Sequence, residues 1–424
     1  MKRGLTLLLL LLAGIPVRAQ DDTATIEQRF VFQPPAGYVA DFTAIEWSPT
    51  SEFIAINFGQ HNEQHNPPGL WQVYAMTGGD LLFEFSDVVA WYPDGDRLLA
   101  RSMDDLALQI VDIRNATVET ASNRAALVDT GASVHLSPDG TLVAVDSVHS
   151  DLQIYDAANL ELRYSLRGYA LDPYFSHTWS PDSSQLVVVP EDIRYRNLGP
   201  RHVWTLNRGL SAPIYNMTAA LAWSPDGTRV AAPSDYTKVR IYAATTGELL
   251  ATIGNYVGGP TGRLQWEANF LLTLSGDYAS MPLTLTVWDF DRTAFVFQEY
   301  VDLGEYRIEG TELVVFEPFL GSRRIDLTTG QVLQESRFEL LTPYPSPDWR
   351  WVARPGSSSE NDHSIAVYRL EGLEQIATLQ WHTVLVKFIV WSPDSRYFAS
   401  ADSSGTVIVW EVQDNMPGSR ETVD

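Results

Sequence analysis

Residues 219–234 read AALAWSPDGTRVAAPS, and this passage folds back on itself. Apolar residues alternate with small or polar ones on both sides of Ser224-Pro225-Asp226-Gly227, the period-2 pattern of strands with one buried face. Pro225 presets the backbone for a tight turn, Asp226 can bond its own backbone and Gly227 tolerates positive φ, so the passage is a β-hairpin. Outward from it the same phrase returns as Trp47-Ser48-Pro49, Tyr92-Pro93-Asp94-Gly95, Ser137-Pro138-Asp139-Gly140 and Trp179-Ser180-Pro181-Asp182. It appears again as Ser346-Pro347-Asp348 and Trp391-Ser392-Pro393-Asp394.

The prolines at 49, 93, 138, 181 and 225 are 44, 45, 43 and 44 residues apart, a period that holds four short strands and their turns. The expected fold is therefore all-β, a single β-propeller of four-stranded blades. Third strands follow most hairpins, as in LQIVDI at 108–113, LQIYDA at 152–157, VRIYAA at 239–244 and VIVWEV at 407–412. Fourth strands are clearest in TTGELLATI at 245–253 and TTGQVLQES at 328–336.

Pro225 and Pro347 are 122 residues apart with no further Pro-Asp turn between their own, and two degenerate units fill the interval. One is GRLQWEANFLLTLSG at 262–276, and the other is EYRIEGTELVVFEP at 305–318, where Glu309-Gly310 makes the turn. The count is nine blades, with eight as the alternative if the unit at 305–338 is absorbed irregularly. The ninth unit ends after its third strand, and the unassigned strand Glu27–Gln33 near the N-terminus is expected to complete it, since an unpaired edge invites aggregation.

Residues 27–414 resemble the WD-repeat and TolB-like propeller families. The last unit carries Trp381-His382, Ser392-Pro393-Asp394, Ser400 and Trp410 where a WD repeat carries its Gly-His, turn, serine and Trp-Asp elements. Trp381 replaces the glycine, Ser404 sits where the turn aspartate is expected and Glu411 follows Trp410, so the resemblance implies an incomplete form of that family's buried hydrogen-bond network. The resemblance also implies a rigid binding platform, typical of a bacterial exported protein, whose loops between second and third strands open on one face.

The first nineteen residues read as a signal peptide. Lys2 and Arg3 precede the apolar stretch Leu5–Pro16, and Val17-Arg18-Ala19 offers a small-residue cleavage pattern. The apolar stretch falls short of the ~20 residues of a spanning helix, so no membrane span is expected after cleavage. Removing it takes away three cations and brings the formal charge from −24 to −27. A chain this acidic repels nucleic acid. The absence of cysteine excludes disulfides. Residues 20–37 form the mature N-terminal segment, 38–414 the propeller, and 415–424 a flexible tail. The expected location is extracytoplasmic, secreted or periplasmic.

Mapped through the resemblance, five of the eight histidines, His61, His65, His149, His202 and His363, lie in or beside the loops between second and third strands, with many acids. The insertion PEDIRYRNLGPRH at 190–202 offers Arg194, Tyr195 and Arg196 for stacking and charge-assisted hydrogen bonds. Tyr236 and Tyr278 on neighbouring units, and Asp362 and His363, complete the expected ligand-binding set. His61, Glu63 and His65 are the most metal-like fragment, weighed against a solvated polar loop. No catalytic residue and no obligatory cofactor is assigned, a divalent cation being the one possibility. The chain carries no Gly-x-Ser-x-Gly elbow or phosphate loop. The leading expectation is an exported, non-enzymatic platform for a protein, peptide or glycan ligand. The alternative is a metal-dependent propeller hydrolase or lactonase.

Overall fold

A computed structural model describes residues 17–18, 24–36, 38, 44–59, 69–105, 107–120, 133–146, 151–171, 179–193, 199–216, 221–235, 238–254, 261–276, 283–292, 294–301, 305–317, 321–336, 343–356 and 362–414. They form nine antiparallel sheets, the blades of a β-propeller, seven of four strands and two with a short fifth strand added to the four. In chain order, blades 1 to 8 span residues 45–85, 87–120, 133–166, 169–210, 222–254, 261–301, 305–336 and 344–379. Blade 9 joins Val386–Trp391, Tyr397–Asp402 and Val407–Asp414 to the N-terminal strand Ala24–Phe32. Among the described residues the only helical turns are the 3-10 segments Glu191–Ile193 and Glu371–Leu373, and no helix is long and apolar enough to cross a membrane.

The nine-blade count holds because residues 305–336 make a complete sheet, with Glu312–Glu317 paired on both sides. The N-terminal strand completes blade 9 as expected, and it starts three residues earlier than the sequence pattern suggests because Ala24 and Ile26 are buried with the core. Its outer edge is met by Val17–Arg18, which pair with Ile26 and Thr25. Residues 1–16, 19–23 and 415–424 lie outside the described residues.

The turn phrase explains the hairpins atom by atom. The serine before each proline, at 48, 137, 180, 224, 346 and 392, accepts the N–H five residues on at 2.9–3.1 Å. Where aspartate follows the proline, the same hydroxyl donates to its Oδ1 at 2.6–2.7 Å. That oxygen also accepts the N–H two residues later, an Asx turn. In blade 2 Tyr92 replaces the serine and its hydroxyl donates to Ala157 O on blade 3 at 2.5 Å. Burial pushes that phenol up to about 12.

The chain divides into two compact units, residues 1–81 with 342–424, and residues 82–341. In the first unit, neighbouring blades are stitched by Trp391 Nε1 donating to Tyr344 O at 2.9 Å and Trp47 Nε1 to Val390 O at 3.3 Å. Their turns are linked as well: Asp348 N donates to Ser395 Oγ at 3.0 Å and Asp394 N to Ser51 Oγ at 3.2 Å. The second unit repeats both devices, with Trp179 Nε1 donating to His135 O at 3.1 Å and Asp139 N to Ser183 Oγ at 3.0 Å. Between stitches the core is apolar and blade-to-blade: Trp351, Ile365 and Leu379 of blade 8 pack with Ile389, Phe398 and Trp410 of blade 9.

Candidate functional site

The ends of the blades opposite the Pro-Asp turns carry the loops singled out from sequence. Of the expected ligand-binding residues, Asp362 and His363 are described. Arg194, Tyr195, Arg196, Tyr236 and Tyr278 lie outside the described residues, as do the metal candidates His61, Glu63 and His65.

In blade 8 the second strand, Trp351–Pro355, and the third, Ile365–Arg369, are held together past their ends by Gly356 N donating to Ser364 O at 2.7 Å. Asp362 Oδ1 accepts from Ser364 Oγ at 2.6 Å and Ser364 N at 3.2 Å. This carboxylate sits so close over Gly356 that a Cβ there would collide with it. Asp362 therefore shapes its own loop. His363 is half-buried, and its Nδ1 is shielded from solvent without a hydrogen-bond partner.

Blade 4 carries the long insertion and is built differently from its neighbours. Its third strand, Gly199–Thr205, was not legible as a strand, and its fourth is broken. Gly209–Leu210 pair with Trp204 and Thr205, the chain steps outward at Ser211, and Ile214–Asn216 return to pair with Gly199–Arg201. Ser211 fills the gap: its N donates to Val203 O at 2.8 Å, its Oγ accepts Val203 N at 3.0 Å, and its O meets His202 Nδ1 at 3.0 Å. Ala212 N donates to Thr246 O of blade 5 at 3.0 Å, and Gly247 lies against Ala212 O with no room for a side chain. The strand that leads out of the insertion is thus braced by Ile214–Asn216, which the Ala212 contact ties to blade 5.

Several other loop acids cap backbone. Asp146 Oδ2 accepts Leu171 N at 3.1 Å, and Asp151 Oδ1 accepts Gly168 N at 3.2 Å. Among the described residues no three His, Cys, Asp or Glu side chains converge as a metal site.

In blade 9 the expectation of an incomplete network is overturned. His382 Nδ1 meets Asp402 Oδ2 at 2.8 Å, His382 Nε2 meets Ser400 Oγ at 2.8 Å, and Trp410 Nε1 donates to Ser400 Oγ at 2.9 Å. The network is complete because Asp402, two residues before Ser404, supplies the carboxylate. Ser404 instead donates its N–H and hydroxyl to Asp402 Oδ1, at 2.9 and 2.6 Å, which fixes the carboxylate's angle. Burial alone would raise the Asp402 carboxyl, but the bonds from His382 and Ser404 outweigh it and hold it below the usual carboxylate range. Serine, histidine and aspartate in this order have the connectivity of a hydrolase triad. Here Ser400 is fully buried and the His382 and Asp402 side chains are 1 % and 2 % exposed, so no substrate reaches the hydroxyl. The arrangement locks the blade.

Residues 373–411 match the family described as WD domain, G-beta repeat, a stretch that runs from the last strand of blade 8 into blade 9 and holds His382, Ser400, Asp402 and Trp410. Among solved structures the chain is similar to the computationally designed Ika8 protein, at 14% identity, with 89% of this chain and 98% of that chain covered and a TM-score of 0.44. No curated protein matches the sequence.

Proposed function

We propose that this is an exported, non-enzymatic propeller that presents its loop-bearing face to a protein, peptide or glycan ligand. The observation that carries this reading is the bracing of blade 4: Gly199–Arg201 gain a partner in Ile214–Asn216, and Ala212 is anchored on the turn of blade 5. Such bracing fixes the described strand that flanks an insertion rich in arginine and tyrosine, and order established before binding is not lost on binding. Arg194, Tyr195 and Arg196 are the contact residues, with Tyr236, Tyr278, Asp362 and His363 as further contributors. The Ser400-His382-Asp402 network is sealed, so this triad belongs to the core of its blade and not to the binding face.

The test is capture from the extracytoplasmic fraction of the source cells by wild-type protein and by a variant with Arg194, Tyr195 and Arg196 all changed to alanine. The ligand should be lost from the variant while its thermal unfolding is unchanged. Equal capture by both proteins would overturn the reading. Export is tested separately by N-terminal sequencing of the native protein, which should begin at Gln20.

A further inference from the structure

The outermost strand of blade 6, Ala294–Val301, is eight residues long, and among the described residues it is paired on one side only, with Leu283–Asp289. The outer strands of blades 1 to 3, 5, 7 and 8 are six residues or fewer, and that of blade 4 is broken. The outer strand of blade 9, Ala24–Phe32, is longer, but Val17–Arg18 meet its edge as a fifth strand. The fold thus admits a strand beyond the fourth, and blade 6 offers the longest edge left open to one.

An open edge is a template for another strand, and proteins blunt it with lysine, with proline or with short length. The segment AFVFQEYV has no lysine, arginine or proline. After a bulge at Val296, Phe297–Val301 pair without interruption with Leu283–Val287. Phe295, Gln298 and Tyr300 stand opposite Trp288, Thr286 and Thr284 on one face, and all three are exposed. Tyr300, at 64%, is the most exposed large hydrophobic or aromatic side chain among the described residues, and Phe295 meets Trp288 edge-on with ring centres 4.6 Å apart. On the opposite face Phe297 and Val301 pack with the core of blade 7, and Glu299 accepts from Arg323 of that blade at 2.9 Å. Arg323 also donates to Glu317 and lies across its strand pair from Glu335, so three carboxylates stand about one guanidinium.

We propose that this edge receives an extended basic peptide as a fifth strand of blade 6. Main-chain hydrogen bonds along Ala294–Val301 would supply affinity, and side chains on the two faces would select the sequence. A peptide that alternates apolar and basic residues has one face to extend Phe295, Gln298 and Tyr300 and another to set cations beside Glu299. Charge decides the occupant. A net charge of −24 and the excess of carboxylates around Arg323 attract a cationic strand and oppose a second copy of this chain, which would bring the same acids together. This edge uses none of the residues assigned to the loop-bearing face, so its occupation does not depend on that face.

Three capped eight-residue peptides titrated into the full-length protein, followed by fluorescence anisotropy, provide the test. One alternates valine and lysine, one alternates valine and glutamate, and one is the valine-lysine peptide N-methylated along its whole backbone. The first should bind saturably, the second about tenfold more weakly or worse, and the third not at all, since it cannot donate to a strand edge. Bound valine-lysine peptide should slow hydrogen exchange in 294–301. Tyr300→Lys, at an exposed position, should weaken it by about tenfold, through a lost aromatic contact and an added like charge. The site is lost if the valine-lysine peptide does not saturate, if either other peptide matches it, if protection appears only in another segment, or if Tyr300→Lys binds undiminished. A dimer seen by light scattering without peptide, and dissociated by Tyr300→Lys, gives the edge to a second copy and overturns the peptide assignment. If Tyr300→Lys fails to fold, judged by its Trp410 indole signal, the three peptides and the exchange measurement on wild-type protein decide alone.

Discussion

The guanidinium of Arg29 meets the carboxylate of Glu411 across the junction of the N-terminal strand and the last blade. Arg29 occupies the bulge in that pairing, where the register shifts between Gln28 and Phe30, so its side chain is re-aimed. Glu411 is fully buried and is also bound by Arg396 at 2.6–2.7 Å. Two partly exposed arginines thus neutralise one buried carboxylate. Either arginine alone can hold the charge, so Arg29→Ala and Arg396→Ala should each cost about 1 kcal/mol or less. Together they leave a buried charge unpaired, and the double variant should lose about 3–5 kcal/mol. Chemical denaturation of the four proteins checks this, and simple additivity would show that the carboxylate is compensated elsewhere.

The turn serines allow a comparison of strain with bonding. Ser183 and Ser395 stand at φ 61° and 59°, where glycine is favoured, and each accepts the N–H of the neighbouring blade's turn aspartate. Left-handed backbone costs a non-glycine residue about 1–2 kcal/mol, and a hydrogen bond contributes about 1 kcal/mol. Replacement by glycine removes both terms and should be nearly neutral. Replacement by alanine keeps the strain and loses the bond, so Ser183→Ala should lower stability by about 1–2 kcal/mol. A glycine variant less stable than the alanine variant would contradict this balance.

Local chemistry made most of the fold legible. Pro-Asp-Gly turns write themselves into sequence because Ser224, Asp226 and Arg229 bond one another within six residues. Even the degenerate blades at 261–301 and 305–336 kept enough alternation to be counted. Tertiary decisions were not legible. The broken strand at Ser211 depends on Val203 and on Gly247 of the next blade, and the strand Gly321–Asp326 carries no clear alternation. Spacing pointed to Ser404 as the substitute for a missing aspartate, whereas contact geometry gives that role to Asp402. Sequence singled out His363 by its loop.

Acid should destabilise the protein in two stages. Burial depresses His135, so the unfolded chain takes up that proton first, and stability begins to fall as pH drops below the ordinary imidazole value of about 6.5. Asp139, Asp182 and Asp226 are held below the usual carboxylate range because their hydroxyl and backbone hydrogen bonds outweigh partial burial, and Asp402 is held down by His382 and Ser404. A depressed carboxyl stabilises the fold above its unfolded value of about 3.9 and loses that contribution as pH falls through the folded value. Thermal unfolding should therefore soften below pH ~6.5 and steepen below pH ~4. His135→Gln should flatten the first stage only. A variant with the wild-type profile between pH ~7 and ~5 would remove His135 from the account.

The closing strand also depends on a glycine in blade 1. Gly79 has φ 74°, and a Cβ there would stand 2.5 Å from the Phe30 ring. Phe30 stacks on Phe32, which packs on Tyr74 with ring centres 4.1 Å apart, so the glycine seats an aromatic column that ties the N-terminal strand to blade 1. Gly79→Ala adds backbone strain and displaces that column, and the two effects should cost about 2–4 kcal/mol in thermal or chemical unfolding. Phe30→Leu in the same chain should recover the steric part, because a smaller side chain vacates the contact. Deleting residues 21–36 is the limiting case, which leaves the edge of Val407–Asp414 open and should give aggregation. A Gly79→Ala protein as stable as wild type, or a deletion variant that stays monomeric with unchanged melting, would show that the N-terminal strand does not hold the last blade closed.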